Sequence, residues 1–337
     1  MIDLARSGQL RASAFICRIL CFALLATALS PQYALAEDTL EEVLVNGDQP
    51  GPALWKVTNG ENTLWILGTY SPLPKDMRWR SAQVEAVLGE SQELLGPADV
   101  SSNIGIFRGM RLLPSLLRAR ANADGAVLKD LLPPQLYARW STLKQRYIGR
   151  NDKMERWRPM FAGFALYSRA LQDAGLTEGN VVGPVIKRTL KNRHIKLTNP
   201  KVKIEIEDPR KLISDFRDTS ADADIACMAT LLDRVEHGMD GLRQRANAWA
   251  TGDIDTLRHS AGIESVDACL TAAISVPSIR EKFDLALGEA RSHWIAAAEL
   301  ALRTNRSTFA VLPMRSLLAA DGELEQLRAL GYRVEAP

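Results

Sequence analysis

Few side chains in this sequence could do acid–base, nucleophilic or metal chemistry, and their spacing says as much as their type. The four histidines, His194, His237, His259 and His293, all fall in or beside the middle of the chain. None has a His or Cys three or four residues away and no H-E-x-x-H occurs, so helical spacing assembles no metal site from them. The nearest acid–base pair is Glu236 and His237, which as successive residues of a helix point in different directions. Ser71 and Ser316 could serve as nucleophiles, but a serine needs a base and oxyanion donors beside it. No G-x-S-x-G elbow is present, and neither Ser71 nor Ser316 begins an S-x-x-K pair.

The element that must position Ser71 is the stretch from Ala53 to Pro74. Leu54, Lys56 and Thr58 alternate with Trp55 and Val57, and Asn59-Gly60 then supplies a pair that tolerates positive φ at both centres of a two-residue turn. The returning arm, Thr63 to Leu67, is apolar almost without a break and predicts a strand covered on both faces. It ends at Gly68, so Thr69 to Pro72 lie beyond a strand's C-terminal end, where open sheets place their chemistry.

Between the two ends the pattern is mainly helical. Ser81 caps a helix through Leu88, and Gln92 to Leu95 reads as a third strand. From Ile104 to Ala121, Phe107, Met110, Leu113 and Leu117 recur at helical spacing, with Arg108, Arg111, Ser115 and Arg118 on another face. That arginine stripe is a solvated face, and Pro114 is expected to kink or split the helix. Pro133-Pro134 opens a helix to about Ile148, and Asn151 starts another that runs through Trp157, Phe161 and Phe164 to Gly175. Gly183-Pro184 begins a short helix. In Lys201 to Glu207 charges alternate with apolar residues, as on a half-buried strand. Asp208-Pro209 starts a helical region with breaks at Gly238, Gly252, Gly262 and Pro277. The chain closes with a buried strand, Thr308 to Leu312, a helix from about Asp321 to Leu330, Gly331 at its end, and a last strand, Tyr332 to Val334. The two ends are expected to share one sheet.

With the Trp-containing hairpin, the strand ending at Gly96, the segments Trp249-Ala250-Thr251-Gly252-Asp253 and Arg291-Ser292-His293-Trp294, and the closing Gly331-Tyr332-Arg333-Val334, the chain resembles the TraB/GumN family, which includes Tiki-type proteases. The resemblance covers most of the chain. It implies an α/β (α+β) fold, with a central sheet from the N- and C-terminal segments, a helical insert at about 104–303, and a single domain over 52–337. It also implies a metal-dependent hydrolase-like site, built from the histidines of two Gly-x-x-His motifs and a glutamate at a strand end. At those positions this chain has Ser71 after Gly68-Thr69-Tyr70, Gly96 for the glutamate, and Ser316 after Pro313-Met314-Arg315. Two hydroxyls and a hydrogen do not replace two imidazoles and a carboxylate as metal donors. The expectation is therefore a pseudoenzyme that uses no cofactor and acts by binding. The alternatives are a metal-dependent or serine-type hydrolase, and a structural component of the cell envelope.

The first 36 residues read as an export signal. Arg6, Arg11 and Arg18 precede the apolar run Ile19 to Leu29, and Ala34-Leu35-Ala36 ends in a cleavage motif. The run is about 11 residues, short of a membrane span. Cleavage after Ala36 would leave an acidic leader, 37–51, and a periplasmic or secreted protein. Removing residues 1–36 takes Lys+Arg from 42 to 39 and Asp+Glu from 40 to 39, so the remainder is neutral and no nucleic-acid partner is expected. Cys227 and Cys269 would be its only cysteines, which in an oxidising compartment predicts a disulfide. The densest run of one sign contains Lys187, Arg188, Lys191, Arg193 and Lys196, a candidate surface for an anionic glycan or lipid.

Export has a direct consequence. Protein recovered from the cell envelope should begin at Glu37 by intact mass or N-terminal sequencing, and a chain that keeps residues 19–29 in a membrane fraction would contradict cleavage.

Overall fold

The hairpin forms one residue out of the expected step. In this computed structural model, which describes residues 51–191, 193–260 and 267–337, β1 (Leu54–Asn59) pairs antiparallel with β2 (Asn62–Thr69), and Asn59 lies opposite Asn62. The turn is therefore Gly60-Glu61 rather than Asn59-Gly60. Of the two, only Gly60 has positive φ, at 60°, as in turns that ask for glycine at the first central position. Asn59 is freed to stay in the ladder, and its amide and that of Asn62 both donate to the Leu302 carbonyl, at 3.3 and 2.9 Å. The expected export signal and cleavage point, most of the expected leader, and Gly262 lie outside the described residues.

Beyond the hairpin come β3 (Leu73–Pro74), α1 (Ala82–Glu90), β4 (Glu93–Leu95), β5 (Asp99–Ser102), α2 (Ile106–Ala119), α3 (Leu128–Leu131), α4 (Pro134–Tyr147) and α5 (Pro159–Asp173). They are followed by β6 (Leu176–Thr177), α6 (Gly183–Lys191), β7 (Lys196–Thr198), β8 (Lys201–Ile204), α7 (Pro209–Arg217), α8 (Asp222–His237), α9 (Met239–Thr251) and α10 (Ile254–Ser260). The last elements are α11 (Asp267–Ala273), α12 (Pro277–Thr304), β9 (Ser307–Pro313), α13 (Met314–Leu318), α14 (Glu323–Ala329) and β10 (Arg333–Glu335).

The central sheet is mixed, in the order β10-β1-β2-β9-β4-β7. β10 and β2 flank β1 antiparallel, while β2, β9, β4 and β7 run parallel, with Leu67 beside Val311 and Leu95 beside Ala310. The first and last segments of the chain thus share one sheet, as the sequence implies. The middle of the chain adds β7, a strand the apolar pattern does not mark, because Lys196 and Leu197 are exposed on an edge.

What holds that edge is polar. Glu93 is nearly buried and accepts hydrogen bonds from the Thr198 hydroxyl, the Asn305 amide (2.8 Å) and Lys196 (3.0 Å). Burial raises the Glu93 pKa, but those three donors outweigh it and hold the carboxyl below its ordinary 4.5.

Two apolar cores result. One surrounds the sheet and contains Trp55, Leu64, Ile66, Trp249, Trp294 and Phe309. The other is helical, with Trp140, Leu166, Met228 and Leu232 among its residues. The second core is closed by a disulfide between Cys227 of α8 and Cys269 of α11, as expected from their isolation in the sequence.

Two helices depart from the expected pattern. The helix foreseen from Asn151 to Gly175 is divided. Asn151 caps only a short 3-10 turn, Asp152–Arg156, and α5 begins afresh at Pro159. The turn ends at Arg156 with Trp157 already extended (ψ 150°), and Arg158, held extended before Pro159 (ψ 142°), keeps the two helices apart. Conversely, α2 runs through Pro114 without division. Proline removes the hydrogen bond to Met110, but both residues are exposed, where water can serve that carbonyl.

Loss of the disulfide removes a crosslink across 42 residues. Cys227→Ala with Cys269→Ala should lower stability by about 3 to 4 kcal/mol in urea unfolding, and two freely alkylated thiols in the native parent protein would contradict the bridge. Glu93 makes stability depend on pH. Its folded pKa lies below the unfolded value, so its contribution is complete above about pH 4.5 and is lost as pH falls through the depressed value. Glu93→Gln should cost about 1 to 3 kcal/mol at neutral pH and flatten that acid limb, whereas equal acid limbs in the two proteins would refute the assignment.

Candidate functional site

At the carboxyl ends of β2, β9 and β4, a cleft of about 920 Å³ opens along the seam between the two cores. Parallel sheets leave a crevice there because successive connections depart in different directions. Its floor comes from Thr69, Tyr70, Ser71, Pro97, Val311 and Pro313. Its far wall comes from α5, the end of α8, and α9.

Position in this cleft is set by a few local requirements. The Trp249 indole N–H donates to the Gly68 carbonyl at 2.7 Å inside the core, and Trp79 packs edge-on against the same indole, 5.8 Å between ring centres. This fixes α9 over the end of β2. One turn earlier on α9, the Arg245 Nε donates to the Tyr70 hydroxyl at 2.9 Å. A Cβ at Gly68 would lie 2.6 Å from Met314 Cε and 3.1 Å from Leu317, so a larger residue there would push the Met314 side chain aside. Glycine thus leaves room for the Met314 side chain of α13 at the strand end.

The charged groups lining the cleft are Arg234, Arg245, Arg315, His237 and Glu178. Three arginines against one carboxylate give a field that favours anions. Among the described residues, Arg234 Nη2 is buried with no hydrogen-bond partner. A buried unpaired donor carries its desolvation penalty, and this one sits behind the cleft surface that the rest of Arg234 lines. Phe164, Tyr167, Leu231, Leu242 and Leu318 supply apolar walls. The arrangement suits a ligand with a carboxylate or phosphate and an apolar face.

The three positions marked by the sequence are brought near one another by segment but not by side chain. Ser71 lines the cleft, joined to Pro72 by a cis peptide. Gly96 is buried and outside the lining, its N–H bonded to the Thr198 carbonyl at 2.9 Å, while Pro97 beside it faces the cleft. Ser316 is half-buried in α13, and its neighbours Met314 and Arg315 reach the cleft instead. At Gly96 the space for a side chain is filled, since a Cβ would stand 2.0 Å from Asn199 Oδ1.

A metal of the kind the family resemblance implies does not fit these donors. One hydroxyl lines the cleft, a hydrogen stands in for the carboxylate, and the second hydroxyl lies outside the lining. Nor do any three His, Cys, Asp or Glu among the described residues gather as metal ligands. Each histidine stands apart: His259 Nδ1 lies 2.7 Å from the Asp255 carbonyl, and His293 lies 3.9 Å from Glu289. His237 comes within 3.8 Å of Glu236, closer than their adjacency on a helix suggests, but that carboxylate is held by Arg139.

The basic run does not form one free face. Arg188 pairs with Glu85 at 3.0 Å, Arg193 donates to the Gly89 carbonyl at 2.9 Å, and Lys196 holds Glu93; Lys187 and Lys191 are exposed. The cations that meet at the cleft are others, and the sequence reading did not single them out. Arg245 precedes Trp249 by one helical turn and Arg315 lies inside the Pro313 to Ser316 segment, so both carried a faint signal. Arg234 carried none.

No curated protein and no solved structure matches this chain. The sequence model of the TraB/PrgY/gumN family matches residues 53–336, which span the hairpin, every strand of the central sheet and the cleft between the cores. Over that length the chain belongs to the TraB/PrgY/gumN family.

Proposed function

We propose that the chain is an exported, non-catalytic member of its family that acts in the cell envelope by binding an anionic ligand in the cleft at the strand ends. The observation that carries the reading is the gathering of Arg234, Arg245 and Arg315, against the single carboxylate of Glu178, around one cleft with apolar walls. The donor chemistry at Ser71, Gly96 and Ser316 supports the loss of metal-dependent hydrolysis. The signal-like residues 1–36 and the disulfide support an oxidising compartment.

In this reading a carboxylate or phosphate is clamped by Arg234 and Arg315, and Arg245 is held in place by Tyr70. Guanidinium forks suit planar, two-pronged acceptors. The apolar walls select against small hydrated anions.

Titration calorimetry with an oligogalacturonate and with a short-chain phosphatidic acid should detect binding of at least one, with neutral oligosaccharide as control. Arg234→Met should weaken it by about 1.5 to 3 kcal/mol, the worth of a charge-assisted hydrogen bond, and Arg315→Met should act in the same direction. Binding unchanged by both variants, or absent for both anions, would refute the cleft. The same preparation, dialysed and then supplied with Mn²⁺, Co²⁺ or Zn²⁺, should neither retain stoichiometric metal nor cleave peptides. Retained metal with activity lost on Ser71→Ala would restore the hydrolase alternative. Regaining metal should require Ser71→His, Gly96→Glu and Ser316→His together with Asn199→Gly, because Asn199 occupies the room a Gly96 side chain needs.

A further inference from the structure

The helix α2 is mounted with its apolar side outward. Its contact with the body is narrow: Leu112 and Ala119 are buried and form a small cluster with Ile213 of α7. At 100° per residue, Phe107, Met110, Leu113 and Leu117 lie on the opposite side, and they are 81%, 63%, 53% and 52% exposed. Leu116 beside them is also exposed. Five of the large apolar side chains left in solvent therefore belong to one helix of 14 residues. Scattered exposed leucines need no explanation, but a continuous stripe does.

The charges on this helix are of one sign. No Asp or Glu occurs from Asn103 to Ala123, and Arg108, Arg111 and Arg118 lie within α2. Arg108 is turned toward α7, donating to the Glu207 carbonyl at 3.3 Å and lowering the pKa of Asp208 among other causes, the largest being its backbone hydrogen bond from Lys211. Arg111 and Arg118 are exposed, without a hydrogen bond or ion pair among the described residues, and are set along one margin of the apolar stripe. Phe and Leu on one side with free arginines at its border are what a helix lying in a lipid headgroup layer presents. The stripe is also convex, on a single helix standing out from the body, and a deformable planar surface covers such a ridge where a second rigid convex helix would not.

We infer that α2 docks the protein on an anionic lipid surface, with Phe107, Met110, Leu113 and Leu117 sunk among the upper acyl chains and Arg111 and Arg118 at the phosphates. The long, flexible arginine stems let the guanidinium groups stay at headgroup level while the helix lies about 21 Å along the surface. This inference does not depend on the cleft or its ligand.

The test is sedimentation of the purified chain lacking residues 1–36 with two kinds of vesicle, phosphatidylcholine alone and phosphatidylcholine with phosphatidylglycerol, at low and high salt. The protein should pellet with the anionic vesicles, and raised salt should weaken the association. Phe107→Ser with Leu117→Ser should reduce it at least about tenfold, and Arg111→Gln with Arg118→Gln should reduce it about fivefold for each charge at low salt. Both variants should keep the parent's circular dichroism and unfolding midpoint, because none of these side chains is part of a buried core. No pelleting with either vesicle would overturn the inference, as would equal pelleting with both that ignores the arginine changes. Self-association that disappears in the Phe107→Ser, Leu117→Ser protein, without vesicle binding, would identify the stripe as a contact between copies and equally overturn it.

Discussion

A buried hydrogen bond seats on the sheet the helix that runs from one core to the other: the Trp249 indole N–H to the Gly68 carbonyl, 2.7 Å long, in an α9 that also places Leu242 in the helical core. A carbonyl at the last turn of a buried strand has lost its ladder partner, and water does not reach it, so it must find a donor. Tryptophan supplies that donor together with a large apolar surface. The bond seats α9 over the strand end, and the same helix bonds to the entry of the fold, where the Gly51 N–H donates to the Ala250 carbonyl at 2.8 Å. Removing the indole would leave a buried acceptor unpaired and a cavity in the sheet core, two effects of the same sign.

From that bond the cleft follows. Once α9 is fixed, Arg245 stands one turn away and reaches Tyr70, and Arg234 arrives on the end of α8 just before α9 begins. The disulfide then holds α11 against α8, so that Cys269 itself contributes to the wall. The cleft is lined from both cores, which makes its width a property of how the cores pack against each other and not of any one loop. Family membership concerns this scaffold. The chemistry done at its strand ends is a separate matter, decided by the side chains present there.

At those ends the residues are closely packed. Asn199 fills the space beside Gly96, and Pro313 ends β9 opposite Thr69, in extended backbone, as the cap of α13. The cleft they border is lined by arginine and apolar side chains.

The sequence by itself determined the elements whose cause is local. Alternation around Asn59-Gly60 announced the hairpin, the apolar run Thr308 to Leu312 announced β9, proline at a first turn announced α4 and α6, and two isolated cysteines announced their bond. Each rests on a period, a cap or a shortage of partners that can be read within a few residues. Tertiary structure decided what depends on contacts between distant residues. Periodicity showed that Phe107, Met110, Leu113 and Leu117 share a face, yet the direction of that face was set by Leu112 and Ala119 meeting Ile213 some hundred positions later. Lys196 to Thr198 joined the sheet by backbone pairing with β4, a strand some hundred residues earlier, with the Glu93 side chain adding hydrogen bonds across that edge. The cleft arginines were invisible for the same reason: Arg245 and Tyr70 are 175 residues apart, and only the packing of α9 on the strand end makes them neighbours.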